Sequence, residues 1–321
     1  MNLNKAILAS MIVSSMLVAV TGPIPAGVEA AQEQKQTNSK KVQIDKTMAA
    51  KLQKAIKQFA GKEIKLQDAA ELLSGSDAKV TSVDGKYIVY FNDKEGVESI
   101  DGPLPLDKIS KETQDKVLKA LKKAYAKKTY VLDKEAVLMQ TYDGKKEKLK
   151  DFISYKLTGK DFEAVWRSGA GFVSEVTIKL AKEDLDSKWL ETAAKAIKTA
   201  FDHDLNVREA FLVASGDHYY MLSLEDNAVS LMMDAKKAKI VNVFHNTRKK
   251  VTTDQKITAK DAKEVVAPLA KELYNIDIAG YEVKWDNATK DYHFVTGKET
   301  IVRAALDADK NAVYIISDGS E

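Results

Sequence analysis

The sequence predicts an α+β fold of tandem units, each a single helix packed on a small antiparallel sheet. Three observations predict it. Four lysine-rich amphipathic helical patterns recur along the 321 residues. Each is followed by segments that alternate apolar and polar residues, with turn residues between them, as half-buried antiparallel strands do. Equivalent helix positions are also similarly spaced: Ile56 to Leu121 is 65 residues, Leu121 to Ile197 is 76, and Ile197 to Leu269 is 72. Such a period suits a helix-plus-sheet unit and exceeds the ~20–50 residues of most solenoid repeats.

Residues 1–30 are predicted to be a signal peptide. Lys5 supplies the positive start, Ala6 to Val20 the apolar run, and Val28-Glu29-Ala30 a small-x-Ala site, so cleavage is expected after Ala30. The run is 15 residues, short of the ~20 that a membrane-spanning helix needs. No later segment is apolar enough to span, so the mature chain is expected to lack a transmembrane segment. Secretion, to the medium or the cell wall, follows.

A flexible linker is expected over 31–44, where "AQEQKQTNSKKVQ" carries almost no large apolar residue. Cleavage leaves 291 residues (321 minus 30), with 49 basic against 46 acidic, still +3. That balance argues against nucleic acid as the partner. With no cysteine, disulfides, thiolate metal sites and cysteine nucleophiles are all excluded, and burial alone must hold the fold together.

Unit 1 is expected over 45–102. Its helix, Asp45 to Ala60, presents Met48, Leu52, Ile56 and Phe59, and "AKVTSV", an Asp84-Gly85 turn and "KYIVYFN" follow. Pro103 and Pro105 in "DGPLPLD" mark the next boundary. Unit 2, 103–182, is the longest and most divergent, with "TYDGKKEKLKD" as an apparent insertion; its helix, Ser110 to Lys127, aligns Val117, Leu121, Ala124 and Tyr125.

Unit 3, 183–250, carries the helix Leu185 to Phe201, with Leu190, Ala194, Ile197 and Phe201 on one face. Its phrase "KAIKTAF" (195–201) echoes "KALKKAY" (119–125) and "KAIKQF" (54–59). In this phrase Ala196 and Ala200 let the helix approach a sheet, Ile197 and Phe201 fill the core, and Lys195 and Lys198 face water. Unit 4, 251–321, opens with a Thr258/Asp261 capping pattern and runs as helix to Tyr274, with a kink expected at Pro268.

Unit 4 resembles a PepSY domain. "ITAKDAKEVVAPLAKELY" matches the leading helix, "YEVKWD" and "YHFVTG" the hairpin, and "VRAALDADKNAVYIIS" the closing strands, with Asn311 where the family's turn has glycine. The resemblance covers 257–321 well, 183–246 moderately, and the first two units by pattern alone. It implies a cystatin-like helix on an antiparallel sheet, an exported or envelope protein, and a binding or regulatory role such as restraint of a peptidase. It implies no catalytic residue.

Candidate chemistry is sparse. Asp202-His203-Asp204 groups two carboxylates and an imidazole that can hold a cation, but it stands where a helix ends and polar side chains cover free carbonyls. "SGAGF" (168–172) lacks the lysine and following helix of a phosphate loop and is expected to be a hairpin turn. Glu183 and Asp184 precede a helix and serve its dipole. Lysines cluster at 119, 122, 123, 127 and 128, at 145, 146, 148 and 150, and with Arg248 at 248–250; they form solvated faces or attract anionic polymers. Trp166, Trp189 and Trp285 are expected to be core anchors.

No catalytic, cofactor-binding or metal residue is therefore assigned, and no cofactor. The expectation is a non-catalytic protein that binds a protein partner, a peptidase for instance, through a sheet edge, a sheet face or a groove between units. The competing reading is a structural or adhesive envelope protein that contacts cell-wall polymers.

Overall fold

The computed structural model describes residues 41–73, 77–92, 94–169, 171–216 and 219–318. The expected signal peptide and most of the expected linker lie outside them. Among the described residues no helix is long and apolar enough to cross a membrane.

Four α-helices form where the periodicity places them: α1 (Lys46–Ala60), α2 (Lys111–Ala124), α3 (Ser187–Phe201) and α4 (Ala259–Tyr274). Each has an oxygen-bearing N-cap, Asp45, Ser110, Asp186 and Thr258, whose side chain accepts a first-turn N–H; Thr258 and Asp261 complete a reciprocal capping box. Helix α2 stops three residues short of Lys127 because Tyr125 turns extended, burying its ring and donating its hydroxyl to the Asp184 carbonyl at 2.8 Å. Helix α4 is continuous through Pro268. In α3 the buried face is Ala193, Ala196, Ile197 and Phe201, and Ala194 is exposed, contrary to the expected stripe.

The expected fold class, small separate sheets, is incorrect: the strands join into one 17-stranded sheet. Strand β1 (Lys41–Gln43), from the expected linker, pairs with β2 (Ala69–Leu72), and β3 (Asp77–Thr81), β4 (Ile88–Asn92) and β5 (Gly96–Pro105) continue the meander. Strand β5 then pairs along Ser99 to Pro105 with β6 (Glu135–Asp143), which continues into β7 (Lys148–Gly159), β8 (Phe162–Arg167) and β9 (Phe172–Lys179).

Strand β9 pairs with β10 (Glu209–Ser215), followed by β11 (Tyr219–Glu225), β12 (Val229–Asp234) and β13 (Lys239–His245). The last group, β14 (Glu282–Asp286), β15 (Asp291–Thr296), β16 (Glu299–Leu306) and β17 (Ala312–Ser317), is attached in reverse, with β17 against β13. The physical reason is edge chemistry. Each isolated sheet would leave two rows of unpaired N–H and C=O groups, and pairing neighbouring edges satisfies them.

Directly opposed residues share a sheet face. A chain of buried cross-strand pairs, Leu157 with Ala164, Ala164 with Val176, Val176 with Ala214, then Leu212 with Leu222, Leu222 with Met233, Leu231 with Val243, Val243 with Ile315 and Ile315 with Ala304, keeps the core on one face. The helices pack on that face, and the other carries half-buried polar residues among apolar ones.

Burial divides into two clusters. One joins Leu52, Ile56, Val89 and Ile100 of the first group with Tyr142 of β6. The other runs from Ile109 to Ile315 and includes Leu121, Ile197, Leu222 and Val266. "TYDGKKEKLKD" is the tip of the long β6–β7 hairpin, which reaches back onto the first group: Glu147 pairs with Lys54 at 2.5 Å and its carbonyl accepts from Gln58. Gly144 makes this approach possible, since a Cβ there would lie 2.3 Å from the Glu95 carbonyl oxygen.

One turn recurs. Asp143, Asp234 and Asp286 each accept backbone N–H bonds from the residues two and three positions on, and the fourth residue, Glu147, Ala238 or Lys290, takes a positive φ of 49–55°. At Asp307 the left-handed residue is Lys310 (φ 64°), not Asn311, the position the family's glycine points to.

Two outcomes are expected. Leu52→Ala and Ile197→Ala should each cost ~2–5 kcal/mol, with loss of amide protection confined to the small cluster for the first and to the large one for the second. Uniform loss in native-state hydrogen exchange would instead show a single cooperative core. Ala238→Gly, which relieves left-handed strain at the cost of unfolded-state entropy, should stabilise by on the order of 0.5–1 kcal/mol in denaturant melts.

Candidate functional site

The Asp202-His203-Asp204 group does not converge on a cation. Asp202 and Asp204 both bind Lys198, at 2.9 and 3.2 Å, and His203 turns to Asp226 at 2.8 Å. Asp226 also accepts N–H bonds from Asn206, Ala228 and Val229. Burial raises its pKa, but the bonds from His203 and those amides outweigh it and hold the carboxyl below the usual range. No cluster of three or more His, Asp or Glu suited to a metal occurs among the described residues.

The expected hairpin turn at 168–172 is present, with the Gly171 N–H donating to the Arg167 carbonyl at 2.9 Å. The lysine clusters separate. Lys122 is bound to the Ala126 and Lys128 carbonyls, Lys128 to Asp161 and the Lys179 carbonyl, Arg248 to the Ala312 carbonyl and Lys250 to the Thr289 carbonyl. Lys119 and Lys123 line a groove instead.

Two depressions are prominent. The first, about 420 Å³, lies on β14–β16 beside Lys284, His293, Lys298 and Thr300. Behind it the fully buried Asp291 accepts from His293 Nε2 (3.0 Å), Tyr314 Oη (2.6 Å) and Thr289 Oγ1. His293 Nδ1 faces Thr300 Oγ1 at 3.4 Å. The order Asp, His, Thr has the sequence of a hydrolytic relay, but the last step is too long for a good hydrogen bond. The carboxylate is shared with Tyr314 and Thr289, which ties β15 to β17 and to the preceding turn. This cluster is a brace for the sheet margin.

The second depression, about 290 Å³, is a groove between α2 and the β8–β9 and β10–β11 hairpins. Its floor is Trp166, Val176, Ala214 and Tyr220, with Phe172 and Val173 beside them. Trp166 and Tyr220 are 6% and 8% exposed and therefore fixed, whereas Phe172 is 51% exposed. One wall is the α2 stripe Lys116, Lys119, Ala120, Lys123 and Ala124, spaced i, i+3, i+4, i+7, i+8. Lys116 lies 5.5 Å from the Trp166 ring, and Lys236 lies 3.9 Å from that of Tyr220.

The groove exists because the helices are unevenly placed. Helix α2 packs on β8 and β9, α3 on β12 and β13, and α3 and α4 pack against each other, while α2 has no comparable helix neighbour among the described residues. The sequence showed the lysines and alanines of α2 but not their opening. Phe172 and Val173 carried no signal at all, because they follow a turn and look like ordinary strand residues.

On the opposite sheet face, carboxylates are half-buried. Burial pushes Asp101 up to about 6, against the attraction of Lys156 and a hydrogen bond with Tyr90. Tyr90 in turn is pushed up to about 12, by burial and then by Asp101. Glu175 and Glu225 are also raised, chiefly by burial. The exposed sheet margins are short or charged: β1 has three residues, and β14 carries a Lys284–Glu282 pair at 2.9 Å.

Comparison with protein-family models, curated proteins and solved structures gives no match for this chain.

Asp101 sets a pH dependence. Its folded pKa of about 6 lies above the ~3.9 of an unfolded aspartate, so the native state holds more protons between those values. Stability should fall as pH rises through that window. Asp101→Asn should flatten this limb and raise the melting temperature at pH 7; an unchanged slope in melts from pH 4 to 7 would contradict it.

Proposed function

We propose that this chain is an exported, non-catalytic binding protein that holds a protein partner in the groove beside α2. The observation that carries the reading is an apolar floor with fixed aromatic rings, left open beside a helix that lacks a helical neighbour. A fixed floor binds with little ordering cost, and aromatic anchors in such depressions are where interface energy concentrates. The resemblance of 257–321 to PepSY domains supports the same class of role, with restraint of an extracellular peptidase as the case it implies.

A groove is favoured over a sheet margin as the docking place, because the short or charged margins described above discourage strand addition. The lysine stripe favours a second reading, a structural or adhesive protein held to anionic wall polymers.

The two readings differ in what a change to the floor does. Ala120→Arg fills the groove while preserving its positive charge, and Phe172→Ser removes an exposed ring. Either should weaken a stoichiometric partner complex recovered from culture medium by at least ~10-fold, about 1.4 kcal/mol. Cosedimentation with wall material that salt releases, unaffected by either variant, would support the polymer reading and reject the groove.

A further inference from the structure

We infer that the groove beside α2 is built for an extended segment of a partner protein in which acidic and apolar side chains alternate. The inference rests on the protein-binding reading above and specifies the chemistry of what is bound.

Charge is the first ground. The whole chain is nearly neutral, with 50 basic and 47 acidic residues, yet the described residues that line this groove include three lysines and no carboxylate. Glu112, on the same helix, offsets Lys116 through a 2.7 Å pair, so the field inside the groove comes mainly from Lys119 and Lys123. Lys236 adds to it from the β12–β13 turn, above the Tyr220 ring.

The floor is the second ground. Phe172, Val173, Val176 and Ala214 offer apolar surface that a phosphodiester or uronate polymer cannot cover. Such a polymer would satisfy the ammonium groups and leave the floor wet. A wholly apolar segment would cover the floor but strip water from the lysines without replacing it, which is costly. A ligand with both kinds of group satisfies both surfaces.

Spacing supplies the third. Lys119 and Lys123 are one helical turn apart, about 5–6 Å between Cβ atoms. Residues i and i+2 of an extended chain are ~6.5–7 Å apart and point the same way. Carboxylates at alternate positions of an extended segment therefore meet successive lysines, and the residues between them face the floor. A helical segment would instead bring its acids into line only at every third or fourth residue.

The test uses the full chain and four fluorescein-labelled probes: (Glu-Val)5, (Glu-Ser)5, (Lys-Val)5 and inorganic polyphosphate, followed by fluorescence anisotropy. The (Glu-Val)5 probe should bind at least ~10-fold more tightly than (Glu-Ser)5 or polyphosphate, and (Lys-Val)5 should not bind. Lys119→Glu/Lys123→Glu should abolish binding, Lys119→Gln/Lys123→Gln should weaken it, and raised salt should weaken it several-fold. Both lysines are exposed, so unchanged melting curves are expected and serve as the folding control.

Equal or tighter binding of (Glu-Ser)5 or polyphosphate would overturn the inference in favour of a polyanion surface. So would (Glu-Val)5 binding that ignores the lysine variants. Retained partner capture that Ala120→Arg blocks, with no binding of (Glu-Val)5, would reject the acidic-segment chemistry and leave the groove standing. Partner capture indifferent to both Ala120→Arg and Phe172→Ser would reject the groove itself.

Discussion

Every other feature of this protein depends on the hydrogen-bonding demand of strand edges. A group of four strands under one helix has an apolar face that a single helix can cover, but its two margins present N–H and C=O groups with nothing to bind. Here β5 is closed by β6, β9 by β10 and β13 by β17, and the core becomes a layer rather than a set of separate interiors. The reversed attachment of the last group follows from the same demand. It brings β17 rather than β14 against β13, and leaves as the free margin a strand that carries Glu282, Lys284 and Asp286.

A continuous sheet sets how far apart the helices stand. Each lies over strands that follow it in the chain, so helix spacing reflects strand count and the direction in which a group is attached. The reversal at β13 draws α4 toward α3, where the two pack together, while α2 stands over β8 and β9 with a lysine-and-alanine stripe facing a gap. Related phrases thus acquire different roles. "KAIKTAF" buries Ala196 and Ile197 at the sheet in α3, whereas "KALKKAY" turns Ala120 and Ala124 toward an open groove in α2. Repetition built the scaffold, and the irregular spacing of its copies made the one apolar hollow with a basic rim.

The polar clusters that look most like chemistry serve the scaffold instead. Asp226 gathers three amides and His203 into one loop, and Asp291 ties three neighbouring side chains together with full burial. The recurrent Asp-led turns accept N–H groups that no strand could satisfy and force a non-glycine residue into the left-handed region. In a cysteine-free chain, such local bonds fix hairpin geometry where no disulfide does so.

Local rules were fully legible in the sequence. Asp45, Ser110 and Thr258 cap helices because a side-chain oxygen at that position satisfies a free N–H, and Leu52, Leu121 and Ile197 are buried because their spacing puts them on one face. Only tertiary structure decided which edges pair, that "TYDGKKEKLKD" clasps the first group, that Ala194 faces water, and that Phe172 and Val173 border a groove. The physical reason is range. Periodicity and capping are set by neighbours within a few residues, whereas strand-edge partners and the gap beside a helix are set by segments tens of residues away, whose backbone groups carry no sequence label.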